Sequence, residues 1–231
     1  MTSTLTALLN LPLFWATLTI AAFYVGQQLY RLSNNHVLIP PILTGLLLVV
    51  MAIELSQTPF SVYMQGGDYL HQWLGPVVVM LAIPLYQHIT TMRQQWLRII
   101  LAVTLGSATT VACAMALAYW WIGDDIITRT MATKSITTPV AIAISEQVGG
   151  ISALASAFVI ATGIIGAILI PIVLKVSGVT HAPTIGLTLG VCAHAVGTGR
   201  ALELGQEQAA YAAMAMTLTA TFHAMVLPWL L

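Results

Sequence analysis

A fourteen-residue stretch near the end of the chain, 190–203, places a histidine, glycines, an arginine and a glutamate in an otherwise apolar sequence. Charged groups at membrane depth cost about 2.5–3.5 kcal/mol each on insertion scales, so a chain that retains them usually pairs them or uses them. Arginine offers planar donors that fit a carboxylate, and glycine can leave the backbone exposed. We predict that this stretch binds a small anion through His194, Gly197, Thr198, Gly199 and Arg200.

The charged residues of this stretch also have a structural interpretation. Arg200 and Glu203 are three residues apart, a spacing at which opposite charges pair on one face of a helix. Such a pair would stabilise the fold and bind nothing. The neighbouring glycine break and His194 favour binding, with His194 also a candidate for proton coupling and Glu203 assigned to coupling or structure.

A second polar stretch, Lys134–Pro139, combines a lysine, three hydroxyl groups and a proline that can begin a helix. The first turn of a helix exposes unpaired N–H groups and a partial positive charge, which together favour an anion. We therefore predict that Lys134, Ser135, Thr137 and Thr138 complete the anion site. The alternative is ordinary capping, with Thr138 as the N-cap, Pro139 at the first helical position and Lys134 among lipid headgroups.

Two further ionisable residues lie in apolar segments. Glu146 ends the short segment that begins at the hydroxyl cluster, where it is a candidate either to carry a coupling proton or to cap the next turn. His223 lies within the last apolar run, and we interpret it as a packing histidine whose hydrogen bonds are satisfied.

The elements that must position these residues are membrane helices. Of the 231 residues, 58% are hydrophobic and only 6% are charged, which excludes an ordinary soluble domain. We predict a single all-α domain, 1–231, with about six spans, two re-entrant or broken helices and a possible inverted repeat. The spans are expected near 8–30, 37–53, 74–88, 97–121, 151–174 and 209–231, and the broken segments near 135–150 and 181–203. In the repeat, a short broken segment precedes a long span at 74–121 and again at 135–174.

Several classes of protein are excluded by what the sequence lacks. The formal net charge is zero, which gives no support to a nucleic-acid partner. Hydrolase, zinc-protease and nucleotide-binding motifs are absent, so we predict no enzyme, no metal and no cofactor. The two cysteines, Cys113 and Cys192, are interpreted as small buried apolar residues.

Three stretches together resemble the LrgB/CidB family. They are Lys134-Ser-Ile-Thr-Thr-Pro139 with Ser145–Gly150, His194-Ala-Val-Gly-Thr-Gly-Arg-Ala-Leu-Glu203, and Leu74–Tyr86. The resemblance covers nearly the whole chain. The departures are Thr133, where proline is common in the family, and Ala195 and Gly199, where glycine and alanine are usual.

The resemblance implies a functional context. Members are named holin- or antiholin-like, occur beside a small LrgA/CidA-type membrane partner, and are linked to murein hydrolase activity and lysis. Plant relatives carry glycolate and glycerate across the plastid envelope, and some bacterial pairs are linked to pyruvate uptake. We therefore expect a multi-pass protein of the inner (plasma) membrane that contacts lipid, forms homo-oligomers and transports small monocarboxylates. The alternative is a holin-regulating module. If the transport site is correct, the tips at Lys134–Pro139 and His194–Glu203 must approach each other.

Overall fold

The computed structural model describes residues 9–33, 39–73, 76, 80 and 82–231. In these residues every regular element is a helix, which confirms the all-α prediction. The helices are α1 (Pro12–Leu32), α2 (Pro41–Ser56), α3 (Phe60–Gln72), α4 (Ala82–Gln87), α5 (Ile89–Gln94), α6 (Trp96–Trp121), α7 (Asp125–Met131), α8 (Thr138–Gln147), α9 (Ser152–Val176), α10 (Ala182–Leu204) and α11 (Gln206–Leu230).

Three of the described helices, α6, α9 and α11, are long and apolar enough to cross a membrane. They contain 26, 25 and 25 residues, where a hydrocarbon core of about 30 Å requires about 20. Their outer faces expose large apolar side chains such as Leu105, Ile165 and Met225, which suits contact with lipid rather than water. The three helices coincide with the spans predicted at 97–121, 151–174 and 209–231.

The remaining predicted spans are only partly described. Helix α1 lies on the first predicted span, and α2 lies on the second but contains only 16 residues. Residues 8, 37, 38, 74, 75, 77–79 and 81, which belong to the predicted spans 8–30, 37–53 and 74–88, lie outside the described residues. The rest of the third predicted run forms α4 and α5, which are separated at His88.

Residues 1–80 form one compact unit, in which α1 packs against both α2 and α3. The helices approach closely at two glycines: Gly45 lies against the backbone of Phe23, and Gly66 lies against Trp15. Trp15 is completely buried, and its ring stacks edge-on against Tyr63 of α3 at 5.8 Å between centroids. This unit is thus built on close backbone contact of the kind that small residues permit between membrane helices.

Residues 81–231 form a second compact unit that contains the predicted site residues. Within it, α9 packs against α10, and α10 makes the most extensive contact of the unit with α11. Helices α6 and α4 also pack against α11. The last helix is therefore the common neighbour of several elements of this unit.

Helix α10 is a hairpin of two short helices rather than one continuous rod. At His194 the backbone leaves helical geometry, with φ 40° and ψ −126°. Beyond this residue Gly197 lies directly against the carbonyl of Leu189, eight residues earlier, a contact that a straight helix cannot make. The second limb, 195–204, therefore folds back on the first, 182–193. At about 1.5 Å per residue, limbs of this length reach roughly halfway across a bilayer.

Helices α7 and α8 form a second hairpin. The Arg129 guanidinium donates to the carbonyl of Val148 at 3.3 Å, and the Ile151 N–H donates to the Thr130 hydroxyl at 3.0 Å. These bonds hold the last turn of α7 beside the C-terminal end of α8, so residues 132–137 lead from there to the tip of the hairpin at the N-terminus of α8. The sequence predicted a re-entrant segment only from residue 135, because it did not identify the short helix α7, whose N-cap is Asp124.

The two hairpins begin at opposite ends of α9, and both tips pack against the middle of that helix. Ile136, from the first tip, belongs to a buried cluster with Val159, while the His194 ring of the second tip lies against Gly163. A broken segment followed by a long helix thus occurs at 125–176 and again at 182–230. The first of these pairs contains the predicted copy 135–174, whereas the copy predicted at 74–121 includes residues outside the described part of the chain.

Candidate functional site

His194 forms the tip of the second hairpin and is held in an unusual conformation. A positive φ is unfavourable for a residue with a side chain, by about 1–3 kcal/mol, and His194 is one of two described non-glycine residues that have one. Its ring is buried, and Nε2 lies 3.0 Å from the carbonyl oxygen of Val159. Because a carbonyl only accepts, Nε2 donates, which leaves Nδ1 of the neutral ring as an acceptor. That Nδ1 atom is buried without a hydrogen-bond partner.

The residues after His194 hold the hairpin closed. Thr198 is buried, and its hydroxyl donates to the His194 carbonyl at 2.8 Å. The Thr198 hydroxyl oxygen also lies 3.8 Å from the sulfur of Met216. Gly197 is packed against the first limb, whereas a Cβ at Gly199 would meet nothing within 4 Å. Of the two glycines predicted to expose backbone, Gly199 is exposed and Gly197 is buried.

Arg200 and Glu203 form the ion pair that the structural interpretation of the sequence describes. The Arg200 side chain is 13% exposed and that of Glu203 is 42% exposed, so the pair lies at the edge of the hairpin. Arg200 is six residues beyond the turn, on the second limb. Its guanidinium is therefore already engaged on its own limb.

The tip of the first hairpin holds the predicted lysine and hydroxyl cluster. Lys134 is partly buried and its ammonium donates to the Ser135 hydroxyl at 3.2 Å, while Ser135 itself is buried. Thr137, rather than Thr138, is the N-cap of α8, and its side chain makes no capping hydrogen bond. The predicted capping position was thus wrong by one residue, since Pro139 takes the second helical position instead of the first.

The structure brings the two tips together. Val159 links them, because it belongs to the buried cluster that contains Ile136 of the first tip and its carbonyl accepts from His194 of the second. The Lys134 charge also acts electrostatically on His194 and on Cys192, two residues before the turn. The approach that the transport hypothesis required is therefore present.

Glu146 lies away from this meeting point. It is exposed near the C-terminal end of α8, where its carboxylate accepts a hydrogen bond from the Ser152 hydroxyl at 3.0 Å. This contact connects α8 to the first turn of α9, as the capping alternative describes.

Sequence reasoning assigned no binding role to two polar residues of α11. His223 and Thr219 are both buried, and neither ring nitrogen of His223 nor the Thr219 hydroxyl has a hydrogen-bond partner. The His223 ring faces the Ser107 backbone outside hydrogen-bond geometry. The prediction of a satisfied packing histidine was therefore wrong. Their spacing of four residues, which places both on one helix face, was the available signal.

No group of three or more histidine, cysteine, aspartate or glutamate side chains that could hold a metal occurs in the described part of the chain. The two cysteines are free, with Cys113 exposed and Cys192 partly buried. Cys113 therefore does not fit the prediction of a buried small residue, since it lies on an outer face of α6.

Long apolar helices and two hairpins that pack on α9 define a helical membrane protein. Residues 19–231 match the LrgB-like family, and the chain belongs to that family. It is 30% identical over 217 residues to proteins named "Antiholin-like protein LrgB" from Bacillus mycoides (strain KBAB4), Bacillus cereus (strain B4264) and Bacillus anthracis (strain CDC 684 / NRRL 3495), covering 94% of this chain and 94% of each relative. No solved structure matches the chain.

Proposed function

We propose that this protein carries small monocarboxylates, of the glycolate, glycerate, pyruvate or lactate type, across the membrane with proton or ion coupling. The observation that carries the proposal is the meeting of two hairpin tips, one with Lys134 and the other with His194, against the middle of α9. Secondary transporters characteristically bind substrate where interrupted helices from two repeats end near the midplane of the membrane.

The chemistry of the first tip favours an anion. Lys134 has no carboxylate partner among the described residues, and it lies just before the N-terminus of α8. A helix N-terminus supplies unpaired N–H groups and a partial positive charge, which add to the charge of the lysine. One lysine and one helix end balance a single carboxylate better than a larger polyanion.

The predicted binding residues divide by position. Lys134, Ser135 and His194 lie where the tips meet, and we assign them to the substrate. Thr137 and Thr138 begin α8 and remain proposed ligands. Thr198 and Gly197 support the second tip, and Gly199 and Arg200 lie farther along its limb. Glu146 and Glu203, both in contacts at the hairpin edges, remain proposed coupling or structural residues.

The setting of this transport follows from the family resemblance. We propose that the protein is a multi-pass protein of the inner membrane, that it forms homo-oligomers, and that it works with a small LrgA/CidA-type partner. Catalysis has no place in this proposal.

The names of the Bacillus relatives favour a second candidate, an antiholin-like regulator of murein hydrolase export and lysis. Such a module would act by assembly and would pass unrelated solutes without saturation. Buried polar side chains on both hairpins, such as Ser135 and His194, are not needed for that role, and they favour transport.

Uptake of labelled glycolate into proteoliposomes tests the proposal. We expect saturable uptake that pyruvate and lactate inhibit competitively. A Lys134→Met variant should lose at least about tenfold of this uptake, the effect of removing one strong charged contact. Lys175→Met, at the exposed end of α9, is the matched control and should transport normally. Unsaturable uptake, or full uptake by Lys134→Met, would refute the transport site.

A further inference from the structure

Helix α11 carries two buried polar side chains that the proposed function does not use. His223 is 1% exposed and Thr219 is 0% exposed. Both nitrogens of the His223 ring and the Thr219 hydroxyl lack a hydrogen-bond partner. Leaving three such atoms unpaired inside a protein is unfavourable, because each has given up its bonds to water. Atoms of this kind are typical of a site whose partner is a ligand.

The packing places these side chains beside the first hairpin tip. Thr219, His223 and Leu227 follow one another at four-residue intervals and so share one face of α11. Leu227 packs in the same buried cluster as Ile136, which is two residues after Lys134, and Ala220 packs against that cluster. The face that carries His223 therefore lies against the first hairpin, the one that carries Lys134.

The same face of α11 also reaches the second tip. Met216, three residues before Thr219, lies 3.8 Å from the hydroxyl of Thr198, which in turn bonds to the carbonyl of His194. Thr219 and His223 are thus placed between the contacts that α11 makes with the two hairpins.

The charges around His223 favour an anionic partner. Lys134 interacts electrostatically with His194, His223 and Cys192. No aspartate or glutamate among the described residues pairs with Lys134. The cluster therefore contains a cation, two imidazoles and a hydroxyl, and it has donors to spare but no negative charge of its own.

We propose that His223 and Thr219 are ligand-binding residues, which complete, with Lys134, a carboxylate subsite formed by both hairpin tips and α11. This inference rests on the proposed function and deepens it. Lys134 balances the carboxylate charge, and Thr219 and one His223 nitrogen donate to its oxygens. The other ring nitrogen remains free to accept a hydrogen bond from a hydroxyl on the ligand.

Glycolate binding to the full-length protein in nanodiscs tests the subsite by titration calorimetry. Thr219→Val keeps the shape of the side chain and removes its hydroxyl, and His223→Leu removes both ring nitrogens. We expect each to raise the glycolate Kd by about tenfold or more, as for one lost bond to a charged group. His223→Gln, which retains an amide donor and acceptor, should have an intermediate Kd.

Thr217→Val is the matched control, since Thr217 is exposed on the same helix and its hydroxyl already donates to the Ala213 carbonyl at 2.9 Å. It should bind glycolate as the wild type does. If the wild type transports glycolate saturably but Thr219→Val and His223→Leu keep its Kd, the subsite is wrong and the transport proposal stands. If the wild type neither binds nor transports glycolate, both are overturned.

Discussion

At the scale of single residues, the polar side chains divide into those that bond to other parts of the protein and those that are buried without hydrogen-bond partners. Arg200 and Glu203 neutralise each other on one limb, and Glu146 accepts from Ser152. His194 and His223 instead retain unpaired nitrogens at buried positions. The Arg200–Glu203 pair was evident from its spacing along one helix. The isolation of His223 was not, because it depends on which neighbours surround it in three dimensions.

Substitutions in the Arg200–Glu203 pair can distinguish a structural role of Arg200 from a role in substrate binding. If Arg200 contacts substrate, Arg200→Ala should abolish glycolate uptake, whereas Glu203→Gln keeps the guanidinium and should retain uptake. If the pair only stabilises the limb, both variants should lower the thermal midpoint slightly, in proportion to the roughly 0.2–1 kcal/mol typical of such pairs. Uptake and thermal melting of the two variants, measured on the same preparations, check this. Equal uptake by both would exclude Arg200 from the site.

At the scale of elements, the reversal inside α10 places His194 at the turn between two short helical limbs. The sequence indicated a short and broken segment there, and its apolar pattern placed α6, α9 and α11 correctly. It did not indicate that the chain turns back at His194, because the turn falls on a histidine rather than on a neighbouring glycine. The reversal is evident from the structure, in which Gly197 lies against the Leu189 carbonyl.

Substitutions at two glycines of the second limb, Gly197 and Gly199, test this reversal. Gly197→Ala would place a methyl group against the Leu189 carbonyl and should destabilise the protein by about 1–3 kcal/mol, the usual cost of overpacking. Gly199→Ala meets nothing within 4 Å and should be neutral or stabilise by up to about 1 kcal/mol, because alanine favours a helix. Thermal melting in detergent measures both. A continuous helix at 182–204 would make the two variants behave alike.

At the scale of the second unit, residues 81–231, the organising feature is that α9 separates two hairpins that open at its opposite ends. The sequence suggested a repeat of this kind, with a broken segment before a long span. The copies could not be aligned from sequence alone, since they share an arrangement of helices rather than residues. The sequence paired 74–121 with 135–174, whereas the two hairpins that pack on α9 near Val159 and Gly163 belong to 125–176 and 182–230.

Because the two hairpins open at opposite ends of α9, their open ends should be accessible from opposite sides of the membrane. In a cysteine-free background (Cys113→Ser, Cys192→Ser), we expect Gln147→Cys and Gln206→Cys to react with an impermeant maleimide from different sides of the membrane. Both glutamines are exposed, one at the end of α8 and one at the start of α11. Labelling of intact cells and of inverted vesicles measures the side. Reaction of both cysteines from the same side would contradict the arrangement.

The short limbs of the α10 hairpin also have a consequence for biosynthesis. Neither 182–193 nor 195–204 is long enough to be retained in a bilayer as a span, and the turn between them buries an imidazole. The hairpin therefore has no stable place until α11, which follows it, has been synthesised and can pack along it. Arrested chains that end at residue 205 and continue in a linker long enough to fill the ribosomal exit tunnel should leave 182–204 accessible to protease, and chains that carry the same linker after α11 should protect it.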